Sequence, residues 1–225
     1  MQNSIILIPP SEGKTQDGTC KPLKKLNEDA RPIYDRLLKF KGDLSQFYGV
    51  KGKALESARR VNAQLLESLT LPAIARYSGV VYGGIGYPTL SAHAQQFFNA
   101  HVRIVSALFG LLSPKELIPD YKLKIEKLDA ANYWKPIITK KLKGCFVIDL
   151  LPQAHQKAVS YESGIQVDFI VVKNGKSVPA GHQGKLIKGK FIRWLCEHVV
   201  TDPEEFSGFK QDGFIFDGVN FLKKV

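Results

Sequence analysis

The alternation of apolar and polar positions predicts a mixture of short strands and helices. Ile5-Ile6-Leu7-Ile8 is continuously apolar and stops at Pro9-Pro10, the pattern of a buried strand entering a loop. Ala54 to Leu69 carries Leu55, Ala58, Val61, Leu65 and Leu69 at helical spacing, and Pro72 opens a second short helical stretch through Arg76. His93 to Phe109 repeats that spacing with Phe98, Val102, Val105 and Phe109 on one side and Ser91 as N-cap. Cys145 to Leu150 and Val167 to Val172 are strand candidates, and a basic helix is expected from about Lys185 to His198. Asn174-Gly175 and Asp217-Gly218 each stand between apolar runs as two-residue hairpin turns. Strands and helices mix without regular βαβ alternation. The expectation is α+β: one compact mixed-sheet domain over residues 1–225.

Composition narrows the class. With 44% hydrophobic residues the chain can bury a sizeable core, and no window of eighteen or more apolar residues suggests a membrane span. The start, Met1-Gln2-Asn3-Ser4, has no basic leader, so a soluble cytoplasmic protein is expected. Cys20, Cys145 and Cys196 are far apart and outside CxxC spacing, which points to a reducing compartment rather than a disulfide framework. His93, His101, His155, His182 and His198 have no partner at metal-ligand spacing, so neither a metal nor another cofactor is expected.

Charge adds a partner. The balance of 32 Lys+Arg against 21 Asp+Glu gives +11, an excess that favours a polyanion where it is clustered. Two segments lack acids altogether. One, between Asp168 and Glu197, holds Lys173, Lys176, Lys185, Lys188, Lys190 and Arg193; the other, between Asp129 and Asp149, holds Lys135, Lys140, Lys141 and Lys143. Lys185, Lys188, Lys190 and Arg193 spread over roughly 140° of a helix, which is either a solvated face or a phosphate-facing one.

Two glycine-bearing segments carry further candidates. Gly84-Ile85-Gly86 between two helical stretches resembles the turn of a helix-hairpin-helix module, in which backbone N–H groups approach a DNA phosphate. Leu108-Phe109-Gly110 is a weaker version and fits a helix stop at Gly110. Ser11-Glu12-Gly13-Lys14-Thr15 ends like a phosphate-binding loop, but Ile8 stands where that motif needs its first glycine, and turn residues follow instead of a helix. The loop still suits a ligand site at the end of a strand, with Glu12 as acid/base and Lys14 on a phosphate. Asp149, at another strand end, is a second candidate carboxylate, and Tyr82, Tyr87 and Tyr121 are candidates to stack on bases.

From Ile5-Ile6-Leu7-Ile8-Pro9-Pro10-Ser11-Glu12-Gly13-Lys14-Thr15 onward, the blocks follow in a recognisable order. They are Arg76 to Ile85, Leu108 to Leu123, Tyr133 to Leu142, Lys173 to Lys176, the Lys185-to-Arg193 helix and Phe209 to Phe216. Together they resemble the YaaA family of peroxide-stress proteins nearly end to end. The resemblance implies a single mixed domain with a helix-hairpin-helix element and a basic cleft. It implies binding of double-stranded or branched DNA and survival of hydrogen peroxide by limiting iron-driven DNA damage. It would place Ser11, Glu12, Lys14 and Thr15 in a polar ligand loop, Gly84 and Gly86 in the hairpin, and Lys185, Lys188 and Arg193 on the basic helix. Lys190, Lys140 and Lys141 join these as candidate DNA contacts on charge. Leu151 to His155 and Pro179 to Gln183 depart from the family pattern, which bears on any small-molecule activity. The alternative function is an enzyme acting on a nucleotide, a base or another phosphorylated small molecule at the Ser11–Thr15 loop.

Overall fold

A computed structural model describes residues 3–225. The chain runs from β1 (Ser4–Ile8) through α1 (Arg31–Lys39), α2 (Leu44–Tyr48) and α3 (Gly52–Ala63) to β2 (Leu71–Pro72). Then come α4 (Ala73–Arg76), α5 (Val80–Ile85), α6 (Ala92–His101), β3 (Val102–Ser106), β4 (Gly110–Leu112) and β5 (Leu117–Ile118). The second half holds α7 (Ala130–Lys141), β6 (Phe146–Asp149), α8 (Gln153–Gln156), β7 (Ser163–Gln166), β8 (Phe169–Lys173) and β9 (Lys176–Pro179). It closes with α9 (Gly181–His198), β10 (Ile215–Phe216) and β11 (Phe221–Lys224).

The main sheet has the order β4-β3-β1-β6-β7. β3, β1, β6 and β7 are parallel and β4 is an antiparallel edge, so the fold is α+β as expected. Every residue of β1 is buried, because a central parallel strand is covered on both faces and needs no polar alternation. From β1 the chain moves to β3 on one side and later to β6 on the other. Ligands of such sheets sit where the order reverses, at the C-terminal ends of the strands. Here those ends are Pro9-Pro10-Ser11 after β1 and Leu150-Leu151-Pro152 after β6.

A smaller sheet, β10-β11-β8-β9, is joined to α9 through aromatic packing: Phe191 lies 4.8 Å from Phe221 and 6.0 Å from Phe169, ring centre to ring centre. On another side α9 meets α5 backbone to backbone. A Cβ added to Gly189 would stand 2.2 Å from the Val81 carbonyl oxygen, and one on Gly84 2.7 Å from that of Leu186. The glycines are required there by contact distance.

Several element boundaries differ from the sequence expectation, two of them by a change of element. The helix after Ser91 stops at His101, and Val102 to Ser106 is β3 instead. Val102, Ile104 and Val105 are β-branched and pair with β1, which outweighs the helical spacing of Phe98, Val102, Val105 and Phe109. Gly110 is therefore no helix stop; at φ +70° it turns β3 into β4 beneath the Trp134 ring. The Ala54–Leu69 helix ends at Ala63, and hydrogen-bonded turns on the Gln64 carbonyl replace its last part. Ser91 caps α6 through a hydrogen bond from Ala94 N, and Asn174-Gly175 turns β8 into β9 with both residues at positive φ. No helix of the described residues is long and apolar enough to cross a membrane.

Candidate active site

The loop after β1 is extended, not a phosphate-binding turn. Ser78 N donates to the Gly13 carbonyl and Thr15 N to that of Arg76, so Lys14 and Tyr77 pair as an isolated antiparallel bridge. This pairing fixes the Lys14 side chain over aromatic rings. Its Nζ is 4.3 Å from the centre of the Tyr121 ring and 5.6 Å from that of Tyr77. Among the described residues no carboxylate lies within salt-bridge distance of it.

Below the amine runs a chain of hydroxyls. Ser106 Oγ accepts from Leu108 N and Phe109 N and lies 2.9 Å from Tyr121 Oη, which lies 2.7 Å from Tyr77 Oη. Tyr82 Oη donates to the Pro9 carbonyl at 2.9 Å. Burial raises all three phenols, Tyr121 to about 12, so they stay protonated. The same burial penalises the Lys14 ammonium, and neighbouring Lys122 adds repulsion. Asp120 and Glu12 offset this only in part, and Lys14 falls from 10.5 to about 7. At neutral pH it is a mixture of amine and ammonium.

Lys14 opens into a cavity of about 390 Å³ whose walls include Ser11, Phe47, Tyr48, Asp120, Tyr121 and His155. Segments following β1, β5 and β6 all contribute. Two of the wall's buried polar atoms, Asp120 Oδ1 and His155 Nδ1, have no hydrogen-bond partner among the described residues. Burial also holds His155 neutral, down at about 4. Natural cores rarely leave such atoms unpaired, because each costs about 1–3 kcal/mol.

Beside the cavity a buried guanidinium stiffens the walls. Arg76 donates Nε to Ile118 O, Nη2 to Leu69 O, and Nη1 to the carbonyls of Thr15 and Asp17. The other expected loop residues are peripheral. Glu12 is exposed and its Oε1 pairs with Lys124 Nζ at 3.0 Å on the rim. Thr15 Oγ1 donates to Ala75 O at 2.9 Å. Asp149 caps the turn after β6, accepting from Leu151 N and from Tyr161 Oη, and burial raises it to about 6. It does not line the cavity, so Glu12 and Asp149 do not meet.

The basic helix is largely committed elsewhere. Lys188 Nζ donates to the Leu150 carbonyl at 2.6 Å, and Lys190 pairs with Asp212 at 3.2 Å. Arg193 donates to Thr89 Oγ1 at 2.7 Å and to the Gly86 carbonyl, and also pairs with Glu197. Only Lys185 of the four is exposed and without a side-chain partner among the described residues. Gly84 lies inside α5 against α9, and Gly86 is its left-handed C-cap. Lys140 is exposed and Lys141 pairs with Asp29. α7 packs on β4 whereas α9 packs on α5, α6 and β8, so the two acid-free segments are anchored to different elements.

Sequence reasoning singled out Lys14, Ser11 and Tyr121 but missed Asp120, Tyr77, His155 and Lys122. Asp120 and Lys122 flank Tyr121 in one of the quoted blocks, and that adjacency was the available signal.

A mixed-sheet α+β protein, with a buried amine in a cleft at the C-terminal edge of its parallel strands, is the class that fold and site define. The chain belongs to a known family: the model described as peroxide stress protein YaaA matches residues 5–219. It is similar to UPF0246 proteins of Rhizorhabdus wittichii (32% identical over 64% of this chain and 65% of the relative) and Phocaeicola vulgatus (28%, over 78% and 80%). A UPF0246 protein of Neisseria gonorrhoeae is 31% identical over 64% of this chain. The chain spans a little under two thirds of the first relative's length and 63% of the gonococcal one.

Proposed function

We propose that this chain is an enzyme acting on a small molecule in the Lys14 cavity, with the Lys14 amine as the proton acceptor. The observation that carries the proposal is the unpaired Lys14 Nζ over the Tyr121 ring, lowered by burial to about 7. A base poised near neutrality is what general-base catalysis needs, and structural lysines more often reach a carboxylate or water. The Tyr77–Tyr121–Ser106 hydroxyl chain supports the reading, because it offers neutral donors and acceptors next to the amine. Lys14 in this role replaces the phosphate-contact role expected from the loop motif, and Glu12 serves only at the rim.

Competitive acetylation across pH, read residue by residue by mass spectrometry, tests this. Lys14 should reach half of its limiting reactivity near pH 7, far below the exposed lysines. A profile matching theirs removes the base.

A second reading, cytoplasmic contact with double-stranded or branched DNA during peroxide stress, rests on the net charge of +11 and the exposed Lys140, Lys173, Lys176 and Lys185. Four phosphate contacts would give a log–log salt slope of about −3.6. A flat salt response removes it.

A further inference from the structure

The Lys14 cavity does not end at Asp120. A second cavity of about 330 Å³ shares Gln16, Ser57 and Asp120 with the first. Its remaining wall brings in Arg60, from the last turn of α3, and the buried Arg76. Each volume falls in the usual range for small-ligand sites, and together they suit a molecule of two parts.

The two parts differ in chemistry. The first cavity presents aromatic surface from Phe47, Tyr48 and Tyr121. Tyr48 Oη is already held by Asn62 Nδ2 at 2.9 Å, so the residue offers the ligand mainly its ring. At the junction stands the unpartnered Asp120 Oδ1. A carboxylate oxygen only accepts, so the ligand must bring an N–H or O–H to it. His155 Nδ1 offers a second polar contact in the same cavity. In the second cavity Arg60 is exposed and has no ion pair or side-chain hydrogen bond among the described residues. Arg76 adds positive charge, most of its N–H groups being taken by carbonyls. Asp17 and Asp120 offset part of that charge, which suits one phosphate better than three.

We infer that the two cavities form one site for a nucleoside monophosphate. Its N–H-bearing ring lies over Asp120 among Phe47, Tyr48 and Tyr121, and its phosphate lies at Arg60. This rests on the reading of the Lys14 cavity as the reaction site, and it specifies which substrate class enters.

Isothermal titration of the full chain with AMP, GMP, CMP and UMP, their nucleosides and inorganic phosphate tests it. At least one monophosphate should bind about tenfold tighter than its nucleoside, the worth of one charge-assisted contact. Arg60→Ala should erase that difference and leave nucleoside affinity unchanged. Asp120→Asn should weaken nucleoside and nucleotide alike by about tenfold while leaving the far-UV circular dichroism unchanged, because it replaces a carboxylate acceptor with a neutral amide of the same shape. Equal affinity for nucleoside and nucleotide overturns the inference, as does no binding at about 1 mM ligand. Lys14 labelling separates the two claims. If Lys14 titrates near 7 and no nucleotide binds, only the substrate class falls. If nucleotides bind with the Arg60 dependence while Lys14 reacts like an exposed lysine, only the base falls.

Discussion

Lys14 and Lys188 are two half-buried lysines near the same edge of the main sheet, and burial lowers both. They differ in what the chain gives them. Lys188 Nζ donates to the Leu150 carbonyl at 2.6 Å with Asp149 and Asp168 nearby, so it ties α9 to the end of β6. Lys14 Nζ also has Asp120 and Glu12 nearby, but among the described residues it makes no hydrogen bond or ion pair and faces aromatic rings and open cavity. The same contrast holds for their surroundings: three of four α9 cations are neutralised or bonded within the chain, whereas the cavity wall keeps two buried polar atoms unpaired. Positive charge in a sequence therefore marks partner binding only after the internal partners have been subtracted.

The sharpest way to break this comparison is to remove each amine in turn. Lys14→Met should stabilise the protein by about 2 kcal/mol at pH 7 or below, because the buried ammonium is penalised there. The sign reverses nothing with pH but removes the gain. Between about 7 and 10.5 the unfolded chain binds the proton that folded Lys14 has lost, so wild-type stability climbs with pH and the variant's advantage fades. Urea unfolding at pH 6, 8 and 10 measures it; a destabilised variant at pH 6 would make Lys14 a structural residue.

Lys188→Met should act in the opposite direction, costing about 1–2 kcal/mol by leaving the buried Leu150 carbonyl unpaired. It should also lift Asp149 above its value of about 6, since Lys188 is one of the groups holding it down. NMR titration of the Asp149 carboxyl reads that shift, and an unmoved titration separates the two residues. The smallest effect belongs to Lys185→Ala, which should change stability by less than about 0.5 kcal/mol. If duplex DNA binds through α9, this one change should flatten the salt slope by about 0.9; an unchanged slope moves any DNA contact elsewhere.

Much of the fold was legible because it is local. A four-residue apolar run closed by two prolines gave β1 and its loop, and Asn174-Gly175 fixed the β8–β9 turn. β3 was hidden because Val102 and Val105 satisfy helical spacing as well as strand preference, and only pairing with Ile6 to Ile8 decides between them. The site was half legible for the same reason. Lys14 and Ser11 stand next to a recognisable strand end, but the rings that face the amine come from positions 77 and 121. Nor does spacing along α9 tell which lysine turns inward, since the acceptor for Lys188 lies 38 residues away.

Arg76 has one more consequence. Its single head group adds side-chain bonds among four stretches of chain that already share backbone hydrogen bonds: the Thr15–Asp17 loop, the turn at Leu69, the short strand at Ile118 and its own helix. The cleft floor is thus assembled before any guest arrives, and entry requires no folding of the loop around it. Lysine at this position would keep the charge yet span fewer of these anchors, converting a rigid receptacle into one that must be reorganised at each encounter.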